Sequence, residues 1–394
     1  MTQFHNDFIQ GIDAGLTYWQ GKADRLDEPT INNLNMTRKN LILILEFGLQ
    51  WPQTWQKAAE LLIHVFPVFQ LRNHWFEGQS LLQLAQKHAP EKETALYMRL
   101  LLQLGHVQRL QGNLAQAHAI HADALEKVRS MQDILLLKGM LVELTFDNLL
   151  LNHLGIAKQA GQEAVLLAAE VDVDSGLHID ALRGLGRVLI RTGEVETAVS
   201  YLQEAVAQAR QTERIIILAR SLSDLGWVLA RLGKRNQADS AYREAEGLLE
   251  STQYKWDKAL LLSNMGTFYF DAEDWQASEV RFRQAHSFHF SFSGDAANQT
   301  IVLNNLGNAL FKQGKLEEAE SYLRASLDLR PQVGGDVGWG NSLGTLAELL
   351  VRQGRKEEAI PIYQTAIEKL KPYPGEEWGQ RLLHRFRKQL KKLV

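Results

Sequence analysis

The sequence predicts an all-α solenoid, a row of helical hairpins and not one globular core. Three observations predict it. At 394 residues the chain exceeds what one ordinary core organises. A helical pattern recurs along most of it in steps of 38 to 43 residues. No segment shows the two-residue alternation that strands require.

The recurring unit is a helix that ends in Leu-Gly-x-x-Leu, a turn glycine seven residues after the first glycine, and an alanine five residues later. The clearest copies are Gly105–Gly112–Ala117, Gly186–Gly193–Ala198, Gly226–Gly233–Ala238 and Gly307–Gly314–Ala319. The same frame holds with substitutions at Gly266–Glu273–Ser278, Ala347–Gly354–Ala359 and Asn148–Gly155–Ala160, and in a worn copy at Phe66–Asn73–Gly78. Turns are thus expected at 73, 112, 155, 193, 233, 273, 314 and 354.

Each part of this pattern has a physical role. The first glycine lets a second helix approach the backbone closely, and the turn glycine ends the first helix in a left-handed conformation. Alanines at 124, 205, 245, 285 and 366 repeat the small-residue theme. Leu182, Leu185 and Leu189, like Leu222, Leu225 and Leu229, keep the i, i+3, i+7 spacing of a buried helix face.

These residues resemble the tetratricopeptide-repeat (TPR) family. The stretch LNNLGNALFKQGKLEEAESYLRASLDLRP, from Leu303 to Pro331, is nearly a consensus copy. The resemblance covers roughly residues 55–371 and implies a right-handed superhelix of about eight hairpins. Steps near 40 exceed the usual 34, as in kinesin-light-chain-like repeats. Pro67, inside the first helix of the worn copy, is expected to kink it.

Residues 1–54 read as two or three helices, with Pro29 suited to a first turn, and 372–394 as a C-terminal capping segment. The stretch from Lys39 through Trp75, Gly78 and Leu81 looks like the lead-in to the TPR sensor of multidomain signalling NTPases and large bacterial transcription activators. KPYPGEE, 371–377, reads as a linker.

Composition narrows the chemistry. There is no cysteine, so disulfides, thiolate metal sites and cysteine nucleophiles are excluded. With 43 basic and 46 acidic residues, no whole-chain field recruits nucleic acid or an anionic membrane. MTQFHNDFIQG lacks the basic start and apolar run of a secretory signal, and a cytoplasmic protein is expected.

Motifs for catalysis or cofactors all have simpler readings. Gly340–Gly344 spells Gly-x-Ser-x-Gly, yet no strand precedes it, and Ser342 is expected to be structural. His106, His118 and His121 have metal-like spacing, but His121 takes the place of Tyr242, Phe282 and Tyr363 in other copies and reads as packing. The glycine-rich run 334–340 and the aromatic run 287–295 read as loops. The basic tail RLLHRFRKQLKKLV reads as the docking helix of the cap. No enzyme activity, cofactor or metal is expected.

The functional signal lies on the first helix of each hairpin, which lines the inner groove of a TPR superhelix. Offsets −3, −2, +1 and +5 from the first glycine give Arg183, Gly184, Arg187 and Arg191, then Ser223, Asp224, Trp227 and Arg231, with Arg220 a turn earlier. Later copies give Ser263, Asn264, Thr267 and Asp271, then Asn304, Asn305, Asn308 and Lys312. Earlier copies give Thr145, Phe146 and Leu149, and Leu102, His106 and Leu110.

Arginine offers a fork to carboxylates, and asparagine offers a donor and an acceptor to a peptide backbone. The expected ligand set is therefore Arg183, Arg187, Arg191, Arg220, Asp224, Trp227, Arg231, Asn264, Asn304, Asn305, Asn308 and Lys312, gripping a polypeptide. A separately encoded signalling NTPase or transcription regulator is an expected partner, and membranes and nucleic acid are not. The alternative is a small, sugar-like ligand stacked on Trp227, Phe270 and Phe311.

Overall fold

The structure, a computed structural model, describes residues 3–72, 74–170, 175–212, 214–250, 252, 254–289, 296–333, 337–371 and 377–393. Every regular element among them is an α-helix. Three helices open the chain: α1 (Gln3–Lys22), α2 (Glu28–Met36, with Pro29 in its first turn) and α3 (Arg38–Gln50). Four hairpins follow after α4 (Pro52–Leu71) pairs with α5 (Trp75–His88). They are α6 (Ala95–Leu110) with α7 (Leu114–Ser130), α8 (Ile134–Leu150) with α9 (Leu154–Glu170), α10 (Ser175–Thr192) with α11 (Val195–Ala209), and α12 (Ile215–Arg231) with α13 (Arg235–Glu250).

These elements belong to one compact unit, Met1–Tyr254. The second unit, Lys255–Val394, holds α14 (Lys255–Asp271) with α15 (Trp275–His289), α16 (Ala296–Lys312) with α17 (Leu316–Val333), α18 (Val337–Arg352) with α19 (Lys356–Leu370), and α20 (Glu377–Leu390). Within each unit, consecutive helices pack together, and first helices also pack on first helices: α6 on α8, α8 on α10, α10 on α12, and α14 on α16, α16 on α18.

Each hairpin turns on one residue with positive φ: Gly112 (84°), Gly193 (87°), Gly233 (72°), Gly314 (80°) and Gly354 (81°). The backbone there closes with the same two bonds. In the first of these turns Gly112 N donates to Arg109 O and Asn113 N to Gln108 O, which caps the helix by the Schellman pattern. Glu273 reaches the same conformation (61°) without being glycine.

The third copy is corrected by the structure. Its turn residue is Asn152 (φ 62°), not Gly155, and His153 N donates to Asn148 O as in the other turns. Gly155 lies inside α9, and the alanine five residues after the turn is Ala157, with 0% exposed. Asparagine tolerates the left-handed region better than most side chains, so it can replace glycine there. The described turns now fall at 112, 152, 193, 233, 273, 314 and 354, an almost even spacing.

Close helix approach explains the first glycine. A Cβ placed on Gly226 would lie 2.9 Å from the Tyr242 ring, on Gly266 2.7 Å from Phe282, on Gly186 2.8 Å from Leu202 and on Gly307 2.7 Å from Leu323. Each partner stands sixteen residues later, on the second helix. In the third copy the pair is reversed: Thr145 takes the first place, and Gly161 faces its methyl group. One member of the pair is small, but which one varies.

Some loops expected from the sequence are helical. Val337–Gly340 open α18, with Gly340 against Leu370, and Ser287–His289 end α15. The rest of those two runs, 290–295 and 334–336, lies outside the described residues, as do Asn73 and 372–376 of the linker. The helix α4 stays helical through Pro67. The last helix, α20, packs on α18 and α19, its Phe386 fully buried against Gly344 and the Tyr363 ring.

Replacing Gly226 by leucine therefore drives a side chain into the Tyr242 ring. The expected loss of about 1–3 kcal/mol should appear as a lower melting temperature. An unchanged melting temperature would mean that the two helices do not meet at this residue.

Candidate functional site

In the first unit, α6, α8, α10 and α12 lie side by side and present the same register positions. With the third copy counted from Thr145, its positions become Val142, Glu143, Phe146 and Leu150, replacing the expected Thr145 and Leu149. Thr145 and Leu149 are buried, whereas Leu150 is 49% exposed. The +1 and +5 positions thus read His106 and Leu110, Phe146 and Leu150, Arg187 and Arg191, Trp227 and Arg231.

The three arginines of α10 do not form a uniform stripe. Arg183 is 7% exposed and clamped: its Nε donates to Asp224 (2.9 Å) and its Nη1 to Asp180 (2.6 Å). Asp224 is itself 6% exposed, so both members of this pair already hold a partner within the fold. Arg191 is exposed and donates to the Asn152 side chain at 2.9 Å. Arg187 differs from both. Its nearest carboxylate is Asp224 at 4.0 Å, and its guanidinium lies over the Phe146 ring at 5.8 Å.

Burial is the largest influence on Arg187 and disfavours its charge; Asp224 opposes this, while Arg183, Arg109 and Arg191 add to it. The guanidinium is held below its usual pKa as a result. On α12, Arg220 is half-buried, and exposed Arg231 lies over the half-buried Trp227 at 6.0 Å.

Behind this face lies a charged network that the sequence reading did not find. Asp147 is fully buried, accepting from Arg109 (2.9 Å) and from His121 Nδ1 (2.6 Å). Arg109 also pairs with Glu143 at 2.5 Å, and His106 Nδ1 stands 3.1 Å from the same carboxylate. Burial alone would raise the Glu143 pKa, but Arg109 and His106 beside it reverse this and hold it well below the usual carboxylate range. His121 is indeed a packed residue, but one that carries a hydrogen bond at each ring nitrogen: Nε2 faces the Leu102 carbonyl at 3.1 Å. The three-residue shift of the third copy hid Glu143, while Arg109 and Asp147, at +4 and +2, lie outside the scored offsets in any frame.

In the second unit, half the expected asparagines are internal ties. Asn304 is 6% exposed; its Oδ1 accepts from Ser342 (2.8 Å) and its Nδ2 donates to Asn305 (3.1 Å). Both ends of the Asn304 amide are thus engaged within the fold. Asn264, Asn305 and Asn308 are half-buried, and exposed Lys312 reaches over the Trp275 ring at 5.6 Å. Ser342 is fully buried inside α18 and also donates to Gly338 O, so its hydroxyl tethers α18 to α16. Phe311 is 5% exposed and covered by Arg352 at 4.3 Å. Phe270 meets the Trp275 ring edge-to-face, with centroids 4.8 Å apart. Among the described residues, no group of three or more histidine or acidic side chains is placed to hold a metal ion, and no helix is long and apolar enough to cross a membrane.

The tetratricopeptide-repeat family profile matches residues 157–251, 257–332 and 299–371, more than half of the chain, and a second profile of the same description matches 98–120. The chain belongs to the tetratricopeptide-repeat family. Among curated proteins, none matches this TPR chain in sequence.

Solved structures share its fold. The APC/C hetero-tetramer Cut9–Hcn1 matches with a TM-score of 0.59 at 16% identity, over 98% of this chain and 70% of that one. A Rap protein complexed with competence and sporulation factor gives 0.57 at 14%, over 86% and 100%. The apo form of RapI gives 0.52 at 15%, over 70% and 98%.

Removing Asp147 leaves Arg109 with Glu143 as its one carboxylate among the described residues and strips His121 Nδ1 of its partner. Asp147→Ala is expected to cost about 3–5 kcal/mol in denaturant unfolding. A loss under about 1 kcal/mol would show that this network does not hold the hairpins together.

Proposed function

We propose that this TPR protein is a non-enzymatic binding module, and that the face formed by α6, α8, α10 and α12 takes up a polypeptide segment. One observation carries the reading. Half-buried Phe146, exposed Leu150 and half-buried Trp227 alternate there with Arg187, which makes no hydrogen bond among the described residues. Apolar contact and unused donors side by side are what an extended peptide, with its alternating side chains and carbonyls, can use.

In the second unit Asn308 occupies the equivalent place on α16, with a donor and an acceptor that no described residue engages. The Rap protein that shares this fold is complexed with competence and sporulation factor, which fits such a role. A signalling NTPase or transcription regulator encoded separately is the class of protein to which the binding event would be passed. A sugar-like ligand is the weaker reading, since Phe311 lies buried beneath Arg352 and offers no stacking face.

The test is a pull-down from native extract followed by titration calorimetry of the recovered polypeptide. Arg187→Ala is expected to weaken binding about tenfold or more, roughly 1.4 kcal/mol. Arg243→Ala, an exposed second-helix arginine, should change it little. Equal affinities for Arg187→Ala and the unaltered protein would place the ligand elsewhere.

A further inference from the structure

Independently of that reading, we infer that the protein pairs with a second copy of itself, α3 against α3 and antiparallel, with Leu43 on the two-fold axis. The outward face of α3 carries Asn40, Leu43, Phe47 and Gln50, spaced i, i+3, i+7 and i+10 and all exposed. Its opposite face, with Leu41, Leu45, Gly48 and Leu49, is buried. The helix packs on α1, α2, α4 and α5 and leaves the outward face bare.

That bare face is apolar. Leu43 is 52% exposed and Phe47 39%, and Met36, which ends α2 just before them, is 86% exposed. The Phe47 ring meets Phe8 of α1 edge-to-face at 5.9 Å, and Phe8 meets Trp51 at 6.2 Å, so the apolar ground continues onto α1. A solenoid that stays alone in water needs a polar outer face on its terminal helices. The last helix, α20, has one and exposes Arg381, His384, Arg385, Arg387 and Lys388. The α3 face does not, and contiguous exposed apolar side chains of this kind mark an interface.

The charges beside the face say what covers it. Lys39 stands four residues before Leu43 and Glu46 three after it, on one flank of the helix. Both are exposed, and neither side chain pairs with a described residue of its own chain. A two-fold axis through Leu43 turns the second helix end for end and keeps the flank on the same side. Lys39 of each copy then meets Glu46 of the other, twice over, while Leu43 meets Leu43 and Phe47 lies along Asn40. A partner of another sequence would need its own matched charges, and the same chain already supplies them.

The experiment is sedimentation velocity of the full chain over a concentration series. The unaltered protein should form a reversible dimer. Leu43→Glu, which sets two like charges on the axis, should leave only monomer. Lys39→Glu and Glu46→Lys should each raise the dimer dissociation constant about tenfold. Mixing these two single variants, or combining both changes in one chain, should restore pairing, because opposite charges face each other again.

All these positions are exposed, so the variants should melt within a few degrees of the unaltered protein. The chain has no cysteine, so Leu43→Cys adds a single thiol. Mild oxidation should link it to the same thiol of a second copy, whereas Leu166→Cys, on exposed ground of α9, should link far less. A chain that stays monomeric throughout, including one whose α3 face instead captures a different protein, would overturn the inference. So would a dimer untouched by Leu43→Glu, charge variants that do not restore pairing when mixed, or equal linking from positions 43 and 166.

Discussion

The structure depends on one constraint: in every hairpin two helix backbones must come within reach of a single small residue. That contact sets the register of the whole array. In the glycine-marked hairpins from α6 onward its partner stands sixteen residues later, as in Gly226 with Tyr242 and Gly266 with Phe282. A left-handed residue seven positions after the small one then ends the first helix and directs the second back along it. With those two points fixed, every first helix presents the same offsets, and residues forty apart in sequence become neighbours across adjacent helices. The shared first-helix face of α6, α8, α10 and α12 follows from that spacing.

The third copy shows that the constraint concerns size and not residue type. Thr145 stands where other copies have glycine, and Gly161 supplies the missing space from the opposite helix. Asn152 supplies the left-handed turn. Both exchanges preserve the geometry, and together they hide the frame from a search keyed on glycine. Gly155 then offers a false anchor three residues late. The hairpins, their number and the class of fold were legible because glycine, alanine and leucine recur where backbone contact demands them.

The candidate face was legible only in part, for a reason of the same kind. Periodicity tells which residues share a face but not which of them already hold one another. Arg183 and Asp224 were read as ligand groups, and they close on each other across α10 and α12. Asn304 was read as a backbone grip, and it anchors Ser342 on the neighbouring helix. In each case the partner lies 38 to 41 residues away, one repeat along, where spacing within a single helix carries no information. Arg187 stands apart because its carboxylate is already held by Arg183. The network of Arg109, Glu143, Asp147 and His121 plays a related part, fixing α6, α7 and α8 to one another beneath Phe146 with buried charge that tolerates little displacement.

The central claim is that the first-helix face of the first unit is where a polypeptide is held. A photo-crosslinking amino acid placed at position 150, on that face, and in a second protein at position 166, exposed on α9, tests it most directly. The account predicts a discrete polypeptide adduct from position 150 in native extract, diminished when Arg187→Gln is added, and no such adduct from position 166. Adducts from position 166 alone, or the same adducts from both, would contradict it.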